Sequence, residues 1–268
     1  MTISPEAGAS IRPALSFDMD AGVGGRAAIG LIVLSSDQTI EHEFRQLLGI
    51  DGVALFQSRI RNDSRVTPET LKAMEARLFE ATDVILPGMP LDVVAFACTS
   101  ASMVIGEERV FQEIRKARPE VRPTTPITAA FAALDALDAL DAGRIALLTP
   151  YRADVNEKIR AYIEARGVEV VAMGSFEEED DLRVCRISEA SVKAAAIELG
   201  RNPAAEAVFV SCTSLRLAGV IEEIEAELGK PVTSSNHALA WHCLRLAGVA
   251  DRRDGKGRLF RLDLPPGY

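Results

Sequence analysis

Apolar residues occur along this chain in short runs that alternate with longer amphipathic segments. AIGLIVL at 28–34 is followed by TIEHEFRQLL at 39–48, GVALFQS at 52–58 and TPETLKAMEARLFEAT at 67–82. A short unbroken apolar run reads as a buried strand, and a period of about 3.6 residues as a helix laid over it. The rhythm is therefore βαβα. It continues with DVVAFAC at 92–98, a helix over about 103–118, and a short strand at 122–125 before PITAAFAALDALDAL. In that last segment Leu134, Leu137 and Leu140 recur at every third position beside Asp135, Asp138 and Asp141. The pattern predicts an amphipathic helix with one solvated acidic face.

A second series opens with GRIALLTP at 143–150 and ADVNEKIRAYIEARG, a helix closed by Gly167 in the C-cap position. After VEVVAMGSF come the acidic run EEEDD at 177–181, a helix at about 188–200, the strand AVFVSC, a helix at about 219–228, and finally PVTSS and HALAWHCLRLAG. Strands alternating with helices favour an α/β fold with an open parallel sheet, because each crossover must lie over a sheet face. The two series share one order: strand, Cys-Thr-Ser, helix, then Pro and Thr at a short strand before an Ala/Leu helix. That repetition points to a duplicated half with a site between the copies. Residues 1–25 carry Pro, Gly and Ser without a sustained period and read as an extended leader.

With 268 residues, 48% of them hydrophobic and 26% charged, the chain has material for two domains of ordinary size and a soluble surface. A formal net charge of −9 repels polyanions at long range, so neither nucleic acid nor an anionic membrane is an expected partner. No apolar run approaches the roughly 20 residues of a membrane span, and the N-terminus lacks a basic start followed by an apolar stretch. A cytoplasmic protein is expected. Four cysteines without a CxxC spacing read as reduced thiols rather than a disulfide scaffold or a zinc site.

In an open parallel sheet, ligands settle at the carboxyl ends of the strands. Cys98-Thr99-Ser100 and Cys212-Thr213-Ser214 each end a strand and precede a predicted helix. A helix N-terminus favours a thiolate, so lowered cysteine pKa values are expected, with Thr and Ser capping the helix or binding a carboxylate. Either cysteine alone is as easily a small buried residue at a strand end. Their repetition in equivalent places favours function. Cys185 and Cys243 read as core. Of the three histidines, only His237, just past PVTSSN, falls near a strand-end rim. GVGG at 22–25 precedes the first strand instead of following it, so it is no dinucleotide fingerprint. A P-loop and paired metal-ligand spacings are also missing, and neither a cofactor nor a metal is expected. The first turn, LSSDQTIE, offers Ser35, Ser36 and Asp37, with Asp37 or Thr39 also suited to cap the following helix; Tyr151 occupies the corresponding turn of the second series.

Two cysteine turns in a duplicated α/β chain resemble the aspartate/glutamate racemase superfamily, and within it the maleate cis-trans isomerase and arylmalonate decarboxylase group. The resemblance runs over about 27–248, through GLIVLSSDQTIEHEF, FACTSAS, TPYRADVNEKI, DDLRVCRIS, VFVSCTS and PVTSSNHALAW. SSDQTIEHEFR is most similar to the ectoine-utilisation branch. The resemblance implies two pseudo-symmetric doubly wound domains, each with a parallel four-stranded sheet and with the active site in the cleft between them. It places the leader at 1–25, the first domain at 26–125 plus 235–268, and the second at 126–234. A homo-oligomer, dimer or larger, is implied as well.

The same resemblance implies that Cys98 and Cys212 are the catalytic pair, and that Thr99, Ser100, Tyr151 and Thr213 hold a substrate carboxylate. Cys98 counts against decarboxylase activity, since decarboxylases of the group typically carry glycine there. Asp37 and Asp181 fall where maleate isomerases carry asparagine to bind substrate carboxylates. An ionised aspartate repels a carboxylate that an amide would bind, so an amino-acid-like or N-acylated amino-acid substrate is expected in place of maleate. The expected function is a cofactor-independent isomerase or racemase of a small carboxylic acid. The alternatives are a decarboxylase or lyase using Cys212 alone, and a non-catalytic carboxylate-binding protein.

Overall fold

Two parallel sheets of four strands organise the chain, which a computed structural model describes over residues 15–137 and 143–268. The first holds β1 (Ala27–Leu34), β2 (Val53–Ile60), β3 (Val93–Phe96) and β4 (Arg122–Thr124) in the order β2-β1-β3-β4. The second holds β5 (Arg144–Thr149), β6 (Glu169–Ser175), β7 (Ala207–Val210) and β8 (Val232–Ser234) in the order β6-β5-β7-β8. The two orders are the same, one half displaced by four strands. In each, the chain leaves its first strand to one side and returns to the other. That reversal opens a crevice at the carboxyl ends of the first and third strands. Both central strands are buried, β1 as AAIGLIVL and β5 as RIALLT, which is why they read as unbroken apolar runs.

The expected helix over 103–118 is two helices, α4 (Thr99–Ile105) and α5 (Glu107–Ala117), broken at Gly106 with φ of 95°. Only glycine adopts that backbone cheaply. The segment at 67–82 divides likewise into α2 (Pro68–Lys72), a single 3-10 turn at Glu75–Arg77, and α3 (Leu78–Asp83). In the leader, residues 15–23 expose Leu15, Phe17, Met19 and Val23; residues 1–14 lie outside the described residues. Among the described residues no helix is long and apolar enough to cross a membrane.

Two helices join the halves. α6 (Pro126–Ala136) turns Ala129, Ala132 and Ala133 to the first core and Ile127, Ala130, Phe131 and Leu134 to the second. It is buried on nearly every side, not on one face as its Leu/Asp spacing predicts, because it runs between two cores. The positions Asp138, Leu140 and Asp141 of that prediction lie outside the described residues. α11 (Ser235–Leu246) leaves β8 of the second half and returns to the first core, where Leu239, Trp241 and Leu244 pack with β1 and α1 (Ile40–Leu47).

Candidate active site

At the carboxyl ends of the strands, the two halves enclose a cavity of about 20 Å³, room for roughly one water molecule. Cys98, Ser100, Tyr151, Asp181, Cys212 and Thr213 line it. Two other predicted site residues stand behind this wall. Thr99 donates its hydroxyl to Ser235 Oγ at 2.7 Å. Asp37 is tucked against the start of α1, its Oδ1 accepting the N–H groups of Thr39 at 2.7 Å and Ile40 at 2.9 Å. His237 takes no part in the cavity: it is fully buried, bonded to Thr233 and to the Lys256 carbonyl, and packed on Phe260.

The two cysteine turns are equivalent in topology but not in detail. Cys98 immediately precedes α4, and its Sγ lies 3.8 Å from Ser100 Oγ. Neither Thr99 nor Ser100 caps that helix. Cys212 is followed by turns, and α10 (Ile221–Leu228) starts only well downstream, so no helix begins behind this thiol as the sequence predicts. In its place the Ser214 N–H points at Cys212 Sγ from 3.4 Å. Thr213 reaches across the cleft, its hydroxyl donating to the Ala97 carbonyl at 3.5 Å. The Tyr151 hydroxyl stands between the halves, within reach of both Cys212 and Ser100.

The expectation of lowered thiol pKa values is overturned. Burial pushes Cys98 up to about 12, with Asp181 and Asp37 adding to the effect against the Ala101 N–H and the Ser100 hydroxyl. Burial likewise holds Cys212 well above the ordinary thiol range, and Asp181 reinforces it. A seven-residue helix behind one thiol and a turn behind the other do not outweigh desolvation plus two acidic neighbours. Both thiols are protonated in the closed site at neutral pH. Burial also raises Asp37 to about 6, only partly countered by the Ile40 and Thr39 N–H groups. Its Oδ2 has no hydrogen-bond partner. Asp181 is better served, accepting the Ser36 hydroxyl on Oδ2 and the Ser214 hydroxyl on Oδ1 at 2.9 Å.

Several contributors escape a reading of the sequence. The segment after β2 closes the cavity with Asn62, Arg65, Leu71 and Met74. It is tied to the opposite half by Val66 N–H to the Glu179 carbonyl at 3.2 Å and Asp181 N–H to the Ser64 carbonyl at 3.0 Å. The strand-end rule that selected the turns after β1 and β3 applies equally here and would have found Asn62. Glu43 is the second case. Its Oε1 accepts the N–H groups of Leu217 and Ala218, each at 2.7 Å, and its Oε2 accepts Asn236 Nδ2 at 2.7 Å. Asn236 Nδ2 also holds the Thr213 carbonyl at 2.8 Å, so a carboxylate from α1 anchors the Cys212 turn of the other half. The signal was present: Glu43 shares the helical face of Ile40, Phe44 and Leu47, an acid on a core stripe.

Equivalent α/β lobes that each deliver a cysteine from the third strand to one closed cavity define a two-lobed enzyme with an aspartate/glutamate racemase-like fold. Comparison with known proteins narrows the class. The chain belongs to the arylmalonate decarboxylase family, whose profile matches residues 29–260. It is 33% identical over 251 residues to the maleate isomerase of Nocardia farcinica, covering 89% of this chain and 97% of that one. It is also 33% identical over 119 residues to the arylmalonate decarboxylase of Bordetella bronchiseptica, covering 44% and 50%. Among solved structures, the Nocardia farcinica maleate cis-trans isomerase bound to TRIS superposes with a TM-score of 0.79 at 31% identity, covering 88% of this chain and 98% of that one. A cysteine variant of that isomerase, with a covalently bound succinylcysteine intermediate, superposes with a TM-score of 0.78 at 31% identity and the same coverage.

Proposed function

We propose that this chain is an isomerase or racemase of a small carboxylic acid, working with its own two thiols, and that the acid is amino-acid-like rather than maleate. The observation that carries the reading is the convergence of Cys98 and Cys212, from equivalent strand ends, on one cavity with the Tyr151 hydroxyl between them. In a racemisation, one thiol, once deprotonated, takes the α-proton, and the facing thiol delivers its own proton to the opposite face. In a cis-trans isomerisation, one thiolate adds to the double bond while the facing thiol gives its proton to the neighbouring carbon, the new single bond rotates, and return of that proton with elimination restores the alkene and the thiolate. Ser100, Tyr151 and Thr213 hold the carboxylate in either case and stabilise the charge that builds on it. Thr99 acts from behind the wall through Ser235. The succinylcysteine in the Nocardia farcinica enzyme supports a cysteine that bonds to carbon in this family.

Asp37 and Asp181 favour an amino acid or its N-acyl derivative. With Asp181 in the cavity wall and Asp37 just behind it, the acidic charge beside the thiols disfavours a second substrate carboxylate and favours an ammonium or amide N–H. The SSDQTIEHEFR turn, with its similarity to the ectoine-utilisation branch, agrees with an amino-acid-like intermediate of ectoine breakdown as the substrate. The test is turnover of a panel of N-acyl amino acids and small unsaturated acids in deuterated water by wild type, Cys98→Ala and Cys212→Ala. Two-thiol chemistry predicts loss of turnover in both variants, and racemisation predicts deuterium at the α-carbon. An active Cys98→Ala enzyme would mean one-cysteine chemistry of the decarboxylase type.

A further inference from the structure

Beside the catalytic cavity lies a second cavity of about 240 Å³ that shares two wall residues with it, Leu71 and Ser100. Facing stripes of two helices build it, one from each half. Ser100, Met103 and Val104 come from α4, and Val155, Lys158 and Ile159 from α7 (Ala153–Glu164). The spacing on each helix is that of a single face. Met103, Val155 and Ile159 are otherwise core residues, so the space is lined by interior side chains that no protein atom fills. The recess opens toward solvent beside Lys158, and its volume is about twelve times that of the catalytic cavity. The catalytic cavity, at about 20 Å³, is by contrast too small for the reacting carbon and its carboxylate together.

Leu71 is the partition. It sits on α2, on the segment that closes the site after β2, and one side of it faces each cavity. Leu71 and Ser100 line both spaces, so a shift of the Leu71 side chain would join them into one, polar at the thiol end and apolar along α4 and α7. Resting on the function proposed above, we propose that the substrate is a carboxylic acid carrying an unbranched apolar tail of about six methylene-sized groups, as in an N-acyl or alkyl chain. The acid is held at Ser100, Tyr151 and Thr213, and the tail lies between Met103, Val104, Val155 and Ile159 toward Lys158, which is exposed to solvent.

The test is calorimetric titration of wild type and Ile159→Phe with the unreactive acids acetate, butanoate, hexanoate and octanoate. Burying each methylene strengthens binding about fourfold, so wild-type affinity rises steadily along the series. In Ile159→Phe the rise stops early, with butanoate within about twofold of wild type and octanoate weakened about tenfold or more. Affinity independent of chain length in wild type, or no detectable binding of octanoate at about 10 mM, overturns the proposal. Equal weakening of all four acids in the variant overturns it too, since that marks an entry corridor instead of a tail compartment. The wild-type series needs no variant to fold. Because these acids do not react, the result stands apart from the turnover experiment above.

Discussion

Replacing Asp37 with asparagine separates the charge of this side chain from its shape. In the folded protein the carboxyl is raised from 3.8 to about 6, chiefly by burial. The native state therefore binds the proton more tightly than the unfolded chain. Its contribution to stability is fully present below about pH 4 and is lost as the pH rises through about 6, so the ionised form costs about 3 kcal/mol at pH 8. Asparagine keeps Oδ1 for the Thr39 and Ile40 N–H groups and places an amide where Oδ2 has no partner. Allowing for that buried amide, Asp37→Asn is expected to be about 1–3 kcal/mol more stable than wild type at pH 8 and no more stable at pH 4. Urea unfolding of both proteins at intervals from pH 4 to 8 measures the gap. It should open between pH 4 and 6 and then level off. A gap that does not change with pH, or a variant less stable than wild type at pH 8, would refute the reasoning. The same substitution removes an acid charge from behind the cavity wall and should tighten maleate binding by several-fold, read by titration at pH 8.

Two further substitutions test other parts of the architecture. Glu43→Ala strands the Leu217 and Ala218 N–H groups in a buried place and leaves Asn236 Nδ2 with the Thr213 carbonyl alone, and should cost about 3–5 kcal/mol in urea unfolding together with most of the turnover; Glu43→Gln, which keeps an acceptor for both N–H groups, should cost only about 1–2 kcal/mol. Cys243→Ser introduces a hydroxyl at a fully buried position of α11 and should cost about 1–2 kcal/mol while leaving turnover unchanged, since this thiol touches neither cavity.

What the sequence conveys here follows the range of the forces involved. The βαβ rhythm is local and strongly periodic, so the strands, their ends and the pair Cys98 and Cys212 are legible before any coordinates, while the division into two four-stranded sheets is implied by the family resemblance. Breaks inside helices are less so: Gly106 sits in a segment whose apolar spacing continues on both sides of it. What decides the chemistry is carried by contacts between the halves. Thr213 meets Ala97, Ser36 meets Asp181, and Glu43 meets Ala218, pairs separated by 116, 145 and 175 positions along the chain. The raised thiols are of this kind. A helix N-terminus is visible in a sequence, whereas the burial that outweighs it exists only once the halves have closed.

The exchange of α6 and α11 between the two cores has a consequence for history as well as stability. Each helix contributes to the core of the half it did not start in, so neither half expressed alone could complete its own interior, and the whole is expected to unfold in one step. A pair of identical half-length chains trading these helices would have been a swapped dimer, with matching groups on both sides of its ligand. Fusion into one polypeptide removes that constraint. Asp37 can then follow one first strand and Tyr151 the other, and a symmetric scaffold comes to present different groups at the two sides of its cavity.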